Sequence, residues 1–164
     1  MTAQSSLPGK RSVIKFKGHS LEFGRKTLLM GVLNSTPDSF YDGGKYKSVK
    51  DFITTAKKMV RDGADIIDIG GESTRPGAEA VSVTEEIRRV SPLIKALSSE
   101  VGIPISIDTT KSVVACEAVE SGASIVNDIR GFGFDPMMAS VVSRLDVPVV
   151  VMHTNGTPMT MQED

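Results

Sequence analysis

Short apolar runs, each bounded by glycine or a polar residue, alternate along this chain with longer segments in which apolar residues recur every three or four positions. Runs of the first kind are typical of buried parallel strands, and segments of the second kind are typical of amphipathic helices. The predicted strands are 28–33, 64–69, 104–108, 124–128 and 147–152, and the predicted helices are 48–61, 83–97, 111–121 and 136–145. The alternation of strand and helix predicts a parallel sheet with right-handed crossovers.

Such a sheet can be open and doubly wound, or it can close into a (β/α)₈ TIM barrel. A polar residue ends each of the five predicted strands, and these residues are Asn34, Asp68, Asp108, Asn127 and His153. Polar residues spread around a ring are typical of a barrel mouth, whereas an open sheet concentrates its site at one switch point. We therefore predict the barrel fold. A complete barrel has eight strands and at least about 200 residues, so we expect this chain to supply about five βα units of one.

Local signals refine this outline. Two short strands around Gly18-His19 predict an N-terminal hairpin, with His19 exposed in its turn, and divide the chain into residues 1–26 and a partial barrel over 27–164. Ser48 is predicted to cap the first helix, and Ser82 with Glu85 has the spacing of a capping box. Pro92 is expected to kink the second helix, and Asp135 to cap the fourth.

Composition excludes several classes of function. The 164 residues carry a formal net charge of −1, so electrostatics predict neither a nucleic-acid partner nor binding to an anionic membrane surface. No apolar run approaches the roughly 20 residues that span a bilayer. The first residues lack the apolar core of a signal peptide, which predicts a cytoplasmic protein. A single cysteine excludes an internal disulfide.

The segment that follows the second predicted strand carries a dense group of polar side chains. It breaks at Gly70-Gly71, and a carboxylate, two hydroxyls and an arginine follow before Pro76-Gly77 closes the loop. Ligands of parallel α/β sheets bind beyond the carboxyl ends of strands, so a loop rich in hydrogen-bond donors there is a candidate site.

Several motifs together resemble the dihydropteroate synthase family: residues 30–40, Asp42-Gly43-Gly44, 70–77, Ile107-Asp108-Thr109 and Asn127-Asp128-Ile129. The resemblance extends from about Leu28 to the last residue. It implies a pterin-binding (β/α)₈ barrel of folate biosynthesis, which condenses 6-hydroxymethyl-7,8-dihydropterin pyrophosphate with para-aminobenzoate, uses Mg²⁺ and is the target of sulfonamides. Full-length members of the family tend to form homodimers.

The resemblance also implies roles for residues that bind the pterin. Asp108 and Asn127 match polar pterin-binding residues, and Ile129 and Met152 match positions that wall the ring. A carboxylate suits the pterin edge, because an exocyclic amine beside a ring N–H is a donor pair that it accepts in bidentate fashion.

A second set of matches concerns the pyrophosphate and para-aminobenzoate. Asn34 matches the Mg²⁺ ligand, Asp42 matches an aspartate that joins the metal site, and Arg75 with Thr74 matches the anion site; we expect Asn34, Asp42 and Arg75 to be catalytic. The matches for the para-aminobenzoate pocket are Phe40, Ser73, Thr74 and Pro76.

Other polar residues are less determined. Asp68 could equally contact a ligand or accept hydrogen bonds from N–H groups of the next loop. The role of Glu72 is similarly undecided. Asp38 and Asp128 are expected to be structural, and His153 is not required by the mechanism.

The family's remaining pterin and pyrophosphate residues, an Asp, a Lys and an Arg-x-His pair, belong to strands that this sequence does not supply. We therefore expect residues 1–164 alone to be inactive. Two alternatives stay open: a pterin-dependent methyltransferase, against which the Ser-Thr-Arg-Pro-Gly loop argues, and a non-catalytic pterin-binding remnant.

Overall fold

The structure is a computed structural model that describes residues 11–35, 48–73 and 80–152. The described elements alternate as the hydrophobic pattern predicts. In chain order they are β1 (Ser12–Phe16), β2 (His19–Phe23), β3 (Met30–Asn34), α1 (Val49–Arg61), β4 (Ile66–Gly70), α2 (Val83–Ser98), β5 (Ile105–Asp108), α3 (Ser112–Glu120), β6 (Ile125–Asp128), α4 (Met138–Leu145) and β7 (Val149–Val151).

The main sheet has five parallel strands in the order β3-β4-β5-β6-β7. Each strand therefore pairs with the strand that precedes it in the chain, and the order never reverses. A doubly wound sheet needs a reversal, where its strand order switches direction. The consecutive order is instead that of an arc of a (β/α) barrel, as predicted.

The two faces of the arc differ because successive side chains of a strand point in opposite directions. One face packs on the helices in a core that includes Leu33, Ile67, Ile69, Ile107 and Val126. The opposite face carries the alternate residues of each strand. At the carboxyl edge of the sheet, these alternate residues are polar in three strands: Asn34 in β3, Asp108 in β5 and Asn127 in β6.

The predicted hairpin forms from β1 and β2, joined by Lys17-Gly18, where both residues have positive φ. Phe16 and Leu21 pack against Ile66 and Ile125, which begin β4 and β6. The hairpin therefore covers the amino edge of the main sheet and leaves the carboxyl edge to the site. The division of the chain near residue 27 stays a prediction.

His19 lies differently from its prediction. It is the first residue of β2 rather than part of the turn, it is half-buried, and its ring centroid is 6.1 Å from that of Phe16. Pairing of the two residues in the hairpin ladder brings the rings together.

Helix caps follow the predictions in part. Ser48 and Asp51 form a complete capping box at the start of α1. At α2 only half of the predicted box forms: Ser82 Oγ accepts from the Glu85 N–H at 3.3 Å, but the Glu85 carboxylate binds Arg88 and Arg89 instead. Glu85 binds the arginines one turn later rather than the Ser82 N–H, because a charged donor forms a stronger hydrogen bond than a neutral one.

The predicted cap of the fourth helix is partly correct. The residue directly before α4 is Met137, which has no side-chain cap hydrogen bond of its own, but one carboxylate oxygen of Asp135 accepts a hydrogen bond from the Met137 N–H at 2.9 Å. The other oxygen accepts from the Ser112 N–H at 2.8 Å, so Asp135 also caps the first turn of α3. The second helix runs through Pro92 without interruption. None of the helices in the described ranges combines the length and apolar character that crossing a membrane requires.

Candidate active site at the carboxyl edge of the sheet

Four residues from four neighbouring strands form one row at the carboxyl edge. In the ladder Asn34 pairs with Gly70, Gly70 with Asp108, and Asp108 with Asn127. Because the strands are parallel, the end of each strand meets this edge, and three of the predicted ligand residues are brought together there.

Gly70 leaves a gap in this row. A Cβ at this position would lie 3.2 Å from the Asn34 Oδ1 atom and 3.6 Å from an oxygen of Asp108. The missing side chain thus opens a space that two hard oxygen atoms border. Such oxygens are the ligands that Mg²⁺ prefers, and Mg²⁺ usually takes its remaining ligands from water and substrate phosphates. The residues present therefore fit a divalent cation.

Within the described ranges, no group of three or more His, Cys, Asp or Glu side chains converges on a point that could hold a metal ion. Among the described residues of this row, Asn34 is the one that would hold a cation, which would take further ligands from water and a phosphate-bearing ligand.

Asp68, which lies two residues before Gly70 in β4, is hydrogen-bonded to Asn127 of this row. The Asn127 Nδ2 donates a hydrogen bond to the Asp68 carboxylate at 3.1 Å, and both side chains are buried. The two residues belong to β4 and β6, which are separated by β5. The concave curvature of the arc brings their side chains together over the intervening strand.

Several carboxylates lie close together at this site, and the pKa values of Asp108 and Asp68 are raised. Burial raises the pKa of Asp108 to about 7, helped by the negative charges of Asp68 and Glu86. Burial also raises the pKa of Asp68. Both shifts favour the neutral acid, so a ligand or cation that supplies positive charge or N–H donors will favour ionisation again.

A lysine at the start of α3 offsets part of this charge. The Lys111 Nζ lies 2.5 Å from an oxygen of Glu86, which is 1% exposed, and it also binds the Glu72 carboxylate. Burial lowers the pKa of Lys111, but the hydrogen bonds that Lys111 donates to these two carboxylates outweigh that effect and leave the pKa raised. The ammonium group therefore ties β4, α2 and α3 together beside the site.

Glu72 also holds the two ends of the loop that follows β4. One of its oxygens binds Lys111, and the other accepts from the Val81 N–H at 3.4 Å. Gly71 lets α2 approach closely, because a Cβ there would lie 2.8 Å from Val90 and 2.9 Å from Glu86. The Gly71 carbonyl in turn accepts from Arg89 at 2.9 Å.

The turn after β6 brings Ile129 and Met152 to the same edge. The Asp128 carboxylate accepts from the Arg130 and Phe132 N–H groups, and its carbonyl oxygen accepts from the Met152 N–H at 3.2 Å. Asp128 is therefore structural, as expected. Ile129 is half-buried and Met152 is exposed.

Several predicted site residues lie outside the described residues. Ser73 is described and is half-buried just after β4. Those outside the described ranges are Phe40, Asp42, Thr74, Arg75 and Pro76, together with Asp38 and His153.

Sequence reasoning missed Lys111 and Glu86. A signal was available for Glu86, because it lies on the apolar stripe of α2, one turn before Val90. A charged residue on such a stripe must find a buried partner. Nothing local identified Lys111 as that partner, since 25 residues separate the two.

Comparison with known proteins is consistent with this site. Residues 30–164 match the family model described as pterin binding enzyme. The chain is 58% identical to the dihydropteroate synthase of Bacillus subtilis over 141 residues, which cover 86% of this chain and 50% of that protein.

Solved structures give the same result. A Yersinia pestis dihydropteroate synthase in complex with a sulfonamide drug superposes with a TM-score of 0.84 at 39% identity, covering 93% of this chain and 55% of that one. A Xanthomonas albilineans dihydropteroate synthase with 4-aminobenzoic acid gives a TM-score of 0.80 at 42% identity, covering 87% and 52%.

The chain spans about half the length of these relatives. The family model, however, matches most of the chain, including every strand of the parallel sheet. The chain therefore belongs to the pterin-binding enzyme family, within which it matches the N-terminal portion of dihydropteroate synthase.

Proposed function

We propose that this chain carries the pterin- and pyrophosphate-binding half of a dihydropteroate synthase. The whole protein would condense 6-hydroxymethyl-7,8-dihydropterin pyrophosphate with para-aminobenzoate and release pyrophosphate. The observation that carries this proposal is the row of Asn34, Asp108 and Asn127 at the carboxyl edge of the sheet, in a chain of this family.

Asp108 and Asn127 are proposed to bind the pterin ring. A pterin offers an amino group beside a ring N–H, and the Asp108 carboxylate can accept both. Because such donors stabilise the ionised carboxylate, binding would lower the raised pKa of Asp108. Ile129 and Met152 would supply apolar surface to the flat ring.

Asn34 is proposed to act on the pyrophosphate side of the same ligand. It would hold Mg²⁺ with Asp42, and the cation would neutralise charge on the leaving pyrophosphate. Thr74 and Arg75 would bind the anion, while Phe40, Ser73 and Pro76 would frame para-aminobenzoate.

By the same family relationship we propose a cytoplasmic protein that forms a homodimer when complete. Neither nucleic acid nor membrane is part of the proposed function.

Calorimetric titration of the chain with 6-hydroxymethyl-7,8-dihydropterin pyrophosphate, with and without Mg²⁺, tests the proposal. We expect binding that Mg²⁺ strengthens and that Asp108→Asn weakens at least about tenfold, since an amide no longer accepts two N–H groups. A parallel titration with 6-hydroxymethyl-7,8-dihydropterin separates the pterin contribution from that of the pyrophosphate. Equal binding by Asp108→Asn and by the wild-type chain would contradict the assigned pterin site.

A further inference from the structure

We propose that Asp68 is a positioning residue, which turns the carbonyl oxygen of the Asn127 amide toward the open face of the arc. Asp68 would thereby make this part of the site select ligands that present N–H groups. This role of Asp68 rests on the proposed pterin site, whose preference for hydrogen-bond donors Asp68 would set.

The direction of the amide follows from the chemistry of its partner. The Asn127 Nδ2 donates a hydrogen bond to one oxygen of the Asp68 carboxyl group at 3.1 Å, and this contact holds the NH₂ end of the amide toward Asp68. The oxygen at the other end of the amide then points away from Asp68. Both side chains are anchored on strands, and Asp68 is only 3% exposed.

One buried acceptor of this pair is left for a ligand. Within the described part of the chain, the Oδ1 atoms of Asp68 and Asn127 and the Ser106 hydroxyl are buried without a hydrogen-bond partner. Ser106 lies opposite Asp68 in the ladder, and its hydroxyl opposes the rise in the pKa of Asp68, so Asp68 has a donor within the protein. A buried polar atom without a partner destabilises a protein, and an N–H group of a ligand would satisfy the Asn127 oxygen, which belongs to the row with Asp108.

The consequence is a preference between two closely similar ligands. Pterins carry a 2-amino group, and lumazines carry a 2-oxo group at the same position. A fixed amide oxygen accepts from the amino group and repels the oxo group. Without Asp68 the amide could rotate and offer its NH₂ to the oxo group instead, so discrimination would fall.

Three variants isolate this role. Asp68→Leu removes the acceptor and leaves the Asn127 amide free to rotate. Asn127→Asp alone sets two carboxylates against each other. The double variant Asp68→Asn with Asn127→Asp reverses the pair: the amide at 68 can donate to the carboxylate at 127, whose second oxygen stays an acceptor in the site.

The experiment is calorimetric titration of the wild-type chain and the three variants with 6-hydroxymethylpterin and 6-hydroxymethyllumazine. We expect the wild type to prefer the pterin at least about tenfold, and Asp68→Leu to prefer it less than about threefold. The double variant should recover pterin binding that Asn127→Asp loses. An Asp68→Leu protein that keeps the wild-type preference would overturn the proposal, as would a folded double variant with no recovery.

A second readout needs no ligand. The Asn127 side-chain amide, identified in ¹⁵N spectra by its loss in Asn127→Asp, should exchange its protons with solvent at least about tenfold more slowly in the wild type than in Asp68→Leu. Equal exchange would refute the fixed amide. If the wild type binds neither compound, the proposed function fails, and this exchange measurement still decides the role of Asp68.

Discussion

The Lys111 ammonium group lies 2.5 Å from a carboxylate oxygen of Glu86, a side chain that is almost completely buried. Lys111 also binds Glu72, which holds both ends of the loop after β4. One half-buried cation therefore links α2, the start of α3 and the base of the loop after β4, which the sequence predicts to carry anion-binding residues.

Lys111→Met is expected to lower the free energy of unfolding by about 3 kcal/mol or more, because it leaves the Glu86 carboxylate buried without a counter-charge. Lys57→Met is the matched control. Lys57 and Glu100 form an exposed ion pair at the same 2.5 Å distance, and loss of such a pair is expected to change stability by less than about 1 kcal/mol. Urea denaturation measures both. Equal losses of unfolding free energy in the two variants would contradict the prediction that the Lys111–Glu86 pair contributes more than an exposed ion pair.

Gly70→Ala is expected to reduce affinity for 6-hydroxymethyl-7,8-dihydropterin pyrophosphate and Mg²⁺ at least about tenfold, with little effect on stability. The new methyl group would occupy the space between Asn34 and Asp108. Gly102→Ala is the control, since a Cβ at Gly102 meets no atom within 4 Å. Calorimetric titration compares the affinities of the two variants. Unchanged binding by Gly70→Ala would show that the space at Gly70 is not part of the ligand site.

The raised pKa of Asp108 predicts a pH dependence of stability. The group ionises near 3.8 in the unfolded chain and near 7 in the folded one. Between these values the folded state holds a proton that the unfolded state lacks. The free energy of unfolding therefore falls as pH rises, by at most about 1.4 kcal/mol per pH unit for this group.

Asp108→Asn removes this term, so its stability relative to wild type should increase from pH 4 to pH 7 and then level off. Asp65→Asn is the control. The hydrogen bond from Lys26 lowers the pKa of Asp65, so Asp65 is ionised in both states over most of this window and its difference from wild type should stay nearly constant. Denaturation at several pH values in the presence of a chelator measures both differences. Parallel curves for the two variants would contradict the assignment.

Asp135→Ala is expected to lower the free energy of unfolding by about 1–2 kcal/mol, because the Ser112 N–H at the start of α3 and the Met137 N–H before α4 lose their acceptor. The hydrogen bonds from Ser112 and Met137 also lower the pKa of Asp135. Asp135→Asn keeps one of the two acceptor oxygens and should lose less than the alanine variant. Thermal or urea unfolding of the three proteins provides the measurement, and an alanine variant as stable as wild type would rule out the tertiary cap.

Local patterns predicted the elements because each element draws its main signal from its own residues. Short apolar runs bounded by glycine or a polar residue mark the strands, and Ser48 marks the start of α1, where it forms a capping box with Asp51. The ends of parallel strands share an edge, so the positions of Asn34, Asp108 and Asn127 in the chain were enough to assign them to one site. Glu85 and Asp135 show the limit of such signals: the Glu85 carboxylate binds arginines instead of completing its capping box, and Asp135 also caps a second helix that its local spacing does not predict.

The sequence by itself thus determined the order of strands and helices, the family and the strand-end residues of the site. Only the tertiary structure decided that Asp68 bonds to Asn127, that Lys111 neutralises Glu86 and that Gly70 opens the row beside Asp108. These relationships join residues distant in the chain, and their energies depend on burial and on the geometry of the partner. Neither is determined until the sheet has curved and the helices have packed on it.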